Sequence, residues 1–469
     1  MSVCLAAYVS LVIGLCSSQG GDPEVRPDIL IVLIDDLGCV DLSSEGHVRH
    51  RTPHADQLRR DSLRFTNAYC NGPNCAPSRA ALMTGKFGSR TGVHTVGSSR
   101  RGKEVDRRVH PPGNRTTLRA EEVSLAEMMS AAGYQTGYVG KWHLSESPLD
   151  QGFAFNIGGG KAGHPKSYFP PYKNAQLPDG PEGEFLVDRL ASETAKRITQ
   201  LRSEPKGKNN ETLARDPWCV VWAPYAVHTP IQAPKEAVEE IRARHPKITL
   251  RQARYMALVE AMDRGLGTVL ASIDPERTVV MFMSDNGGLN GITDSDPWRG
   301  GKGMLYEGGI RTPLYVRGPE ITPGDIEKPV LIFDIYPTVG ELGNASLPNI
   351  DATSLMPALR GLPFTHGPLY WHFPAYLEGN DSESHDPTRP FRTTPCGATR
   401  EGDWKLIEYF ENGEIELFNL ADDPGETSNR AMEEPLRTES MRSRLNSWQK
   451  QVGAQMPTAK PKKTAAPPQ

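Results

Sequence analysis

Asp28–Ile34 reads DILIVLI, an apolar, β-branched run that stops at two acids, Asp35 and Asp36. An unbroken run of this kind is the pattern of a strand covered on both faces. Residues 218–222 and 278–283 repeat it, and 136–140 predict a shorter strand. Helical periodicity lies between these runs. It covers residues 124–132, where Leu125, Met128, Met129 and Ala132 share one face, and also 185–201 and 251–273. Apolar strands alternating with helices predict an α/β fold with a large, mostly parallel sheet flanked by helices.

After about Gly361 the rhythm changes. Leu369–Phe373, residues 404–410 and residues 414–420 are short strand patterns separated by turn residues, and Pro435–Gln451 has a helical pattern. A small C-terminal antiparallel sheet with one helix is expected. The organisation is then a large unit over residues 27–360, a subdomain over 361–452, and a Pro-, Ala- and Lys-rich disordered tail over 455–469. No internal repeat is present.

Polar clusters follow the strand patterns: Asp35-Asp36, Lys141-Trp142-His143, residues 224–230 and Asp285-Asn286. Open α/β sheets bind ligands beyond the carboxyl ends of their strands, so these clusters are expected to form one composite site.

A length of 469 residues suits one large domain with a smaller appended unit. The net charge of -4 supplies no field for gathering polyanions, which argues against nucleic acid as a partner. Cys4 to Cys16 bound an uncharged apolar run, too short to span a bilayer and followed by small and polar residues. It is read as a signal peptide over residues 1–20, implying a secreted or periplasmic protein. A lipid anchor at Cys16 is the alternative, and no later segment is long and apolar enough to be transmembrane. The remaining cysteines, Cys39, Cys70, Cys75, Cys219 and Cys396, are odd in number and scattered, with neither a disulfide framework nor a zinc pattern. Asn114, Asn210, Asn344 and Asn380 open glycosylation sequons, relevant only in a eukaryotic secretory pathway.

The run from Cys75 to Lys86 (CAPSRAALMTGK) carries the strongest chemical signal. Read alone, Cys-x-Pro-Ser-Arg is an apolar cysteine opening a helix with Pro in its first turn. Over its whole length the run resembles the signature of formylglycine-dependent sulfatases, with Met83 where that family often has Leu. The resemblance extends over residues 27–450 and implies an alkaline-phosphatase-like fold, residues 27–360 being the sulfatase catalytic domain. It also implies that Cys75 is oxidised to an aldehyde by a formylglycine-generating maturation enzyme. A hydrated aldehyde has two geminal oxygens, one to attack sulfur and one to expel sulfate by collapse to the carbonyl.

Asp35, Asp36, Asp285 and Asn286 are hard oxygen donors suited to Ca²⁺, with Mg²⁺ the alternative. Either pair alone reads as a turn or helix cap. The sulfatase family, however, draws its metal ligands from Asp-Asp-x-Gly and Ser-Asp-Asn-Gly, here at residues 35–38 and 284–287, with Cys75 completing the set. By the same resemblance, Lys141 and Lys302 hold sulfate oxygens and His228 protonates the leaving oxygen. His143 assists turnover, Arg79 holds the nucleophile, and Asp285 helps to deprotonate it. Ser145 replaces a family Gly and is expected to narrow the pocket or contribute to it, while His372 is a weaker candidate for the rim. The implied reaction is hydrolysis of a sulfate monoester, with a sulfated carbohydrate as the expected substrate and aryl sulfates as artificial ones. Specificity is expected in residues 158–172 and 377–392. Phosphate-ester hydrolysis and glycan binding without catalysis are the competing readings.

Overall fold

A computed structural model describes residues 26–203, 215–379 and 381–460 of the chain. The presumed signal segment, Asn210, Asn380 and residues 461–469 lie outside the described residues.

The large sheet has eight strands. In chain order they are β1 Asp28–Ile34, β2 Leu63–Phe65, β3 Gln135–Gly140, β4 Phe155–Ile157, β5 Trp218–Ala223, β6 Thr278–Ser284, β7 Leu314–Arg317 and β8 Gly324–Ile326. Across the sheet they run β8-β2-β7-β6-β1-β5-β3-β4. All neighbouring pairs are parallel except those made by β7, which is antiparallel to both β6 and β2.

β1 sits at the centre, and its side chains divide between two cores. Ile29, Ile31 and Leu33 face one layer, which includes α2 (Cys75–Thr84) and α3 (Leu125–Ala131). Leu30, Val32 and Ile34 face the other, with α1 (Pro53–Arg60), α4 (Leu186–Ser203) and α5 (Leu250–Leu270). None of these six side chains is exposed, and burying each contributes roughly 1.5–3 kcal/mol. An acid at Ile31 would place an unpaired charge between the layers. The doubly buried strand read from the sequence is therefore the keel of the fold.

Register converts this core into a site. Ile34 pairs with Ser284, Val32 with Trp222, and Gly140 with Ala223. The residues that follow, Asp35-Asp36, Asp285-Asn286 and Lys141, consequently emerge side by side at one edge. Gly140 makes the approach possible. Its φ is 104°, and a Cβ there would meet the Ala223 carbonyl oxygen at 1.9 Å.

The second sheet has four antiparallel strands in order: β9 Leu369–Phe373, β10 Cys396–Glu401, β11 Trp404–Tyr409 and β12 Glu414–Asn419. One helix, α6 (Pro435–Gln451), packs against it through Met441, Leu445 and Trp448. Leu369, Trp371, Phe373, Ala398 and Ile407 join the same core as Ile29 and Ile31, so the sheets share one apolar interior. Beyond α6, Thr458–Ala459 pairs with Val109–His110. Among the described residues, no helix is long and apolar enough to cross a membrane.

Candidate active site

Cys75 is the first residue of α2, all ten residues of which are buried. The preceding Asn74 does not cap the helix with its side chain. Its amide instead donates to Thr95 Oγ1 at 3.0 Å, which leaves the N-terminal amides free of that competitor. At the other end Gly85 closes the helix in the left-handed conformation, its N–H donating to Ala81 O at 2.8 Å. The helix is therefore a rigid mount that presents Cys75 to the strand ends.

The acids and cations interlock around it. Lys141 Nζ lies 2.7 Å from both Asp35 oxygens, and none of these side chains is exposed. Lys302 Nζ is 2.5 Å from Asp36 Oδ1 and 3.6 Å from Cys75 Sγ. Asn286 Nδ2 donates to the same Asp36 oxygen at 2.8 Å, and the Asp36 amide donates to Asp285 Oδ1 at 3.2 Å. Backbone bonds lash these loops together: Asp285 N to Ile34 O, Lys141 N to Ala223 O, Lys302 N to Gly288 O and Gly303 N to Pro73 O, all between 2.7 and 3.1 Å.

Arg79 lies one turn along α2 and faces inward. Its Nε donates to Asp285 Oδ2 at 2.8 Å and its Nη1 to the Lys141 carbonyl at 2.5 Å. Tyr138 completes the clasp by donating to that carbonyl at 2.6 Å. Two of the guanidinium nitrogens are thus engaged in holding Asp285 and the Lys141 loop. Nη2 alone has no hydrogen-bond partner, 3.9 Å from Asp35 Oδ1. Tyr138 was not singled out from sequence because it reads as an ordinary residue of a buried strand.

Two histidines flank the sulfur. His228 Nδ1 lies 2.8 Å from the Thr229 carbonyl, which can only accept, so Nδ1 carries a proton and Nε2 faces Asp36 Oδ2 at 3.5 Å. Burial lowers its basicity, but Asp36 and Asp35 outweigh this and raise its pKa. His143, in a left-handed backbone conformation (φ 69°), lies beside Cys75, and burial holds its pKa below the ordinary value. Burial alone would push the Cys75 thiol up. Lys141, Lys302 and the two neighbouring histidines reverse the effect and hold it well below the usual thiol value.

These contacts bring together every candidate of the main constellation: Asp35, Asp36, Cys75, Arg79, Lys141, His143, His228, Asp285, Asn286 and Lys302. Two secondary candidates are engaged elsewhere, His372 in the packing that its aromatic strand favours. Ser145 accepts from Trp142 Nε1 at 2.8 Å and donates to the Ser147 carbonyl at 2.7 Å, so its hydroxyl braces the loop and leaves the pocket alone. His372 Nε2 contacts Gln455 O at 3.1 Å and its ring packs on Phe410, because its strand lies in the second sheet rather than at the edge where the acids emerge. The two loops expected to govern specificity do reach the site. His143 N donates to Gly160 O at 2.9 Å, and the His164 ring stacks over His228 with centroids 6.0 Å apart. From the other loop, Arg392 Nη1 donates to Lys302 O at 3.1 Å.

The donor set fits a hard divalent cation. Asn286 Oδ1 is buried and has no hydrogen-bond partner. Donor atoms of Asp35, Asp36, Cys75 and His228 all lie within 4.8 Å of one another. Burial pushes the Asp35 carboxyl up to about 7 despite the pull of Lys141.

Two family models match the chain. A model described as "Sulfatase" matches residues 27–345, and one described as "N-sulphoglucosamine sulphohydrolase, C-terminal" matches residues 300–451. A sulfatase of Formosa agariphila is 30% identical, covering 92% of this chain and 91% of that protein. Human arylsulfatase A is also 30% identical, over 75% of this chain and 71% of its own. Among solved structures, Ps i-CgsB in complex with k-i-k-neocarrahexaose superposes with a TM-score of 0.72 at 24% identity, covering 90% of this chain and 92% of that one. A protein solved with its substrate D-glucosamine-2-N,6-O-disulfate gives 0.68 at 20% identity, covering 91% and 98%. At these identities the two structures speak for the fold.

Proposed function

The chain belongs to the sulfatase family and is a sulfuric ester hydrolase, and from that premise we propose that its reaction centre is a formylglycine made from Cys75, beside a divalent cation held by Asp35, Asp36, Asp285 and Asn286. The observation that carries this reading is the sharing of Lys302 between the acid cluster and the sulfur: 2.5 Å to Asp36 and 3.6 Å to Cys75. The cation, calcium or magnesium, would supply Lewis-acid polarisation of a sulfate oxygen, and the hydrated aldehyde would supply the nucleophilic oxygen that a thiol lacks.

The remaining work falls to side chains with defined partners. Lys141 and Lys302 place two ammonium groups beside Cys75, where negative charge on sulfate oxygens accumulates. His228 holds its Nδ1 proton on Thr229 and directs Nε2 into the pocket. Its raised pKa favours the protonated form needed to donate to a leaving alkoxide. His143 lies on the Cys75 side group with a lowered pKa and suits the opposite role, accepting a proton. Arg79 is fixed by Asp285 and orients the carboxylate that serves both cation and nucleophile.

The substrate class is a sulfated carbohydrate, in keeping with the names of the curated relatives, among them human N-acetylgalactosamine-6-sulfatase. Small aryl sulfates are artificial substrates. Export to the periplasm or the exterior, where such polymers occur, is part of the same proposal, as is a division near residue 360 between the catalytic domain and the C-terminal subdomain. Kinetics on matched aryl sulfate and aryl phosphate esters test the reaction. Sulfate preference, abolished by chelation and restored by calcium, is expected, whereas phosphate preference overturns the assignment.

A further inference from the structure

Arginines buried in this protein are generally matched by carboxylates. Arg79 has Asp285, Arg215 has Asp28, and Arg389 has Glu411. Half-buried arginines such as Arg107 and Arg317 lack a carboxylate partner among the described residues, and two of this kind lie beside the site. Among the described residues, no carboxylate oxygen lies within ion-pair distance of Arg101 or Arg392. Arg389, only three residues from Arg392, makes such a pair, so the local chain does not forbid one.

Both arginines are fixed in place. Arg392 lies in the ribbon formed by Leu377–Glu378 and Phe391–Thr393, and its Nη1 donates to Lys302 O. Gly303 makes room for its side chain, because a Cβ there would approach Arg392 Cδ to 3.1 Å. Its Nε is buried without a hydrogen-bond partner. The Arg101 backbone is brought near because Gly102 packs against the Phe391 ring and Arg100 bridges to Tyr376, and the Arg101 Nη2 donates to Val96 O. The loop holding it is tied back to the helix mount through the Asn74–Thr95 bond. Electrostatics agree with this proximity. Burial lowers the basicity of Arg101, Glu378 and Cys75 raise it, and Arg392 lowers it further.

A buried guanidinium nitrogen without an acceptor calls for an explanation, and planar guanidinium forks match carboxylates and sulfates geometrically. Resting on the sulfatase reading above, we propose that Arg101 and Arg392 form an anion subsite at the mouth of the reaction centre. It receives a second negative group of the substrate, a carboxylate or a further sulfate on the sugar bearing the scissile ester or on its neighbour. Polyanionic sugar sulfates are thereby preferred to neutral ones.

The test is the ratio of kcat/KM for a dianionic over a monosulfated neutral sugar, measured on the full chain with matured Cys75 and calcium. Two dianionic arms are used, one with a uronate and one with a second sulfate. The unmodified protein is expected to prefer at least one arm, and Arg392→Gln and Arg101→Gln should each reduce that preference about tenfold, the size of one lost charge-assisted hydrogen bond. The arm whose ratio collapses identifies the anion. Because the ratio is taken within one protein sample, poor folding of a variant lowers both rates and leaves it unchanged. Arg392→Lys retains charge but loses the fork, and should fall between. An unmodified protein that turns over neutral and dianionic sugars equally, or variants with an unaltered ratio, overturns the subsite while the sulfatase reading stands. Release of sulfate from no ester at all removes both.

Discussion

Nζ of Lys302 lies 3.6 Å from Sγ of Cys75, and between them they join the long loop that follows β6 to the N-terminus of a fully buried helix. An ammonium so placed stabilises charge that develops on a ligand at Cys75. Lys302→Met should lower kcat for an aryl sulfate by about 10²–10³-fold, the usual loss for one preorganised donor to a developing oxyanion. A steady-state assay that shows a KM effect alone would place Lys302 in ground-state binding instead.

His228 is argued to protonate the leaving oxygen, so its importance depends on the leaving group. His228→Gln should slow a sugar sulfate, with its basic alkoxide, by about 10²–10⁴-fold, while an acidic nitrophenol leaving group suffers much less. Equal losses on both esters would assign His228 to binding rather than to proton transfer.

Lys405 is a structural counterpart to the site lysines. It is unexposed, 3.0 Å from Glu307 Oε1 and 2.8 Å from Glu426 Oε1, and thereby ties β11 to the large domain. Lys405→Met leaves the buried Glu426 without its cation, while Glu307 keeps Arg311 at 3.1 Å, and should cost about 3–5 kcal/mol. Burial and the Glu307 charge outweigh Lys405 and push Glu426 up to about 7. The variant should consequently be less damaged at pH 5 than at pH 8, because a protonated Glu426 leaves one fewer bare charge. Denaturant melts at the two pH values measure this.

The sequence exposed those parts of the fold and site that are local. A strand buried on both faces must be apolar throughout, so β1, β5 and β6 announced themselves, and the acids closing β1 and β6 marked the sheet edge. Cys75 and Arg79 are four residues apart on one helix, a spacing that already placed both on one side. The rest depends on distant partners. β7 offers only Leu314–Arg317, too short for a period-two signal, and it gains its place from β6 and β2. β10 lacks an apolar run because Gly397, Thr399 and Arg400 occupy it. Glu307, Lys405 and Glu426 lie far apart in the chain and look like ordinary surface charges. Ser145 shows the limit of substitution reasoning: replacing the family's Gly, it turned to Trp142 and away from the pocket.

Stability should also respond to acid through His372. Burial and the nearby His94 hold its pKa down at about 4, whereas in the unfolded chain it titrates near the ordinary 6.5. Between those values the unfolded state binds the extra proton. The contribution is present above pH 6.5 and is lost as the pH falls toward 4. His372→Gln removes that titration, so the melting temperature of the unmodified protein relative to the variant should drop across this interval. A constant difference from pH 7 to pH 4 would contradict a buried neutral imidazole.

The central claim rests on what Cys75 becomes. Trypsin releases residues 65–79 as one peptide containing both Cys70 and Cys75. Its mass should be measured after thiol alkylation of protein made with a formylglycine-generating maturation system. An aldehyde at position 75 beside an alkylated Cys70 is the predicted result. Two alkylated thiols, from a system shown to convert another substrate, would contradict the account and leave the cluster of acids and lysines without its nucleophile.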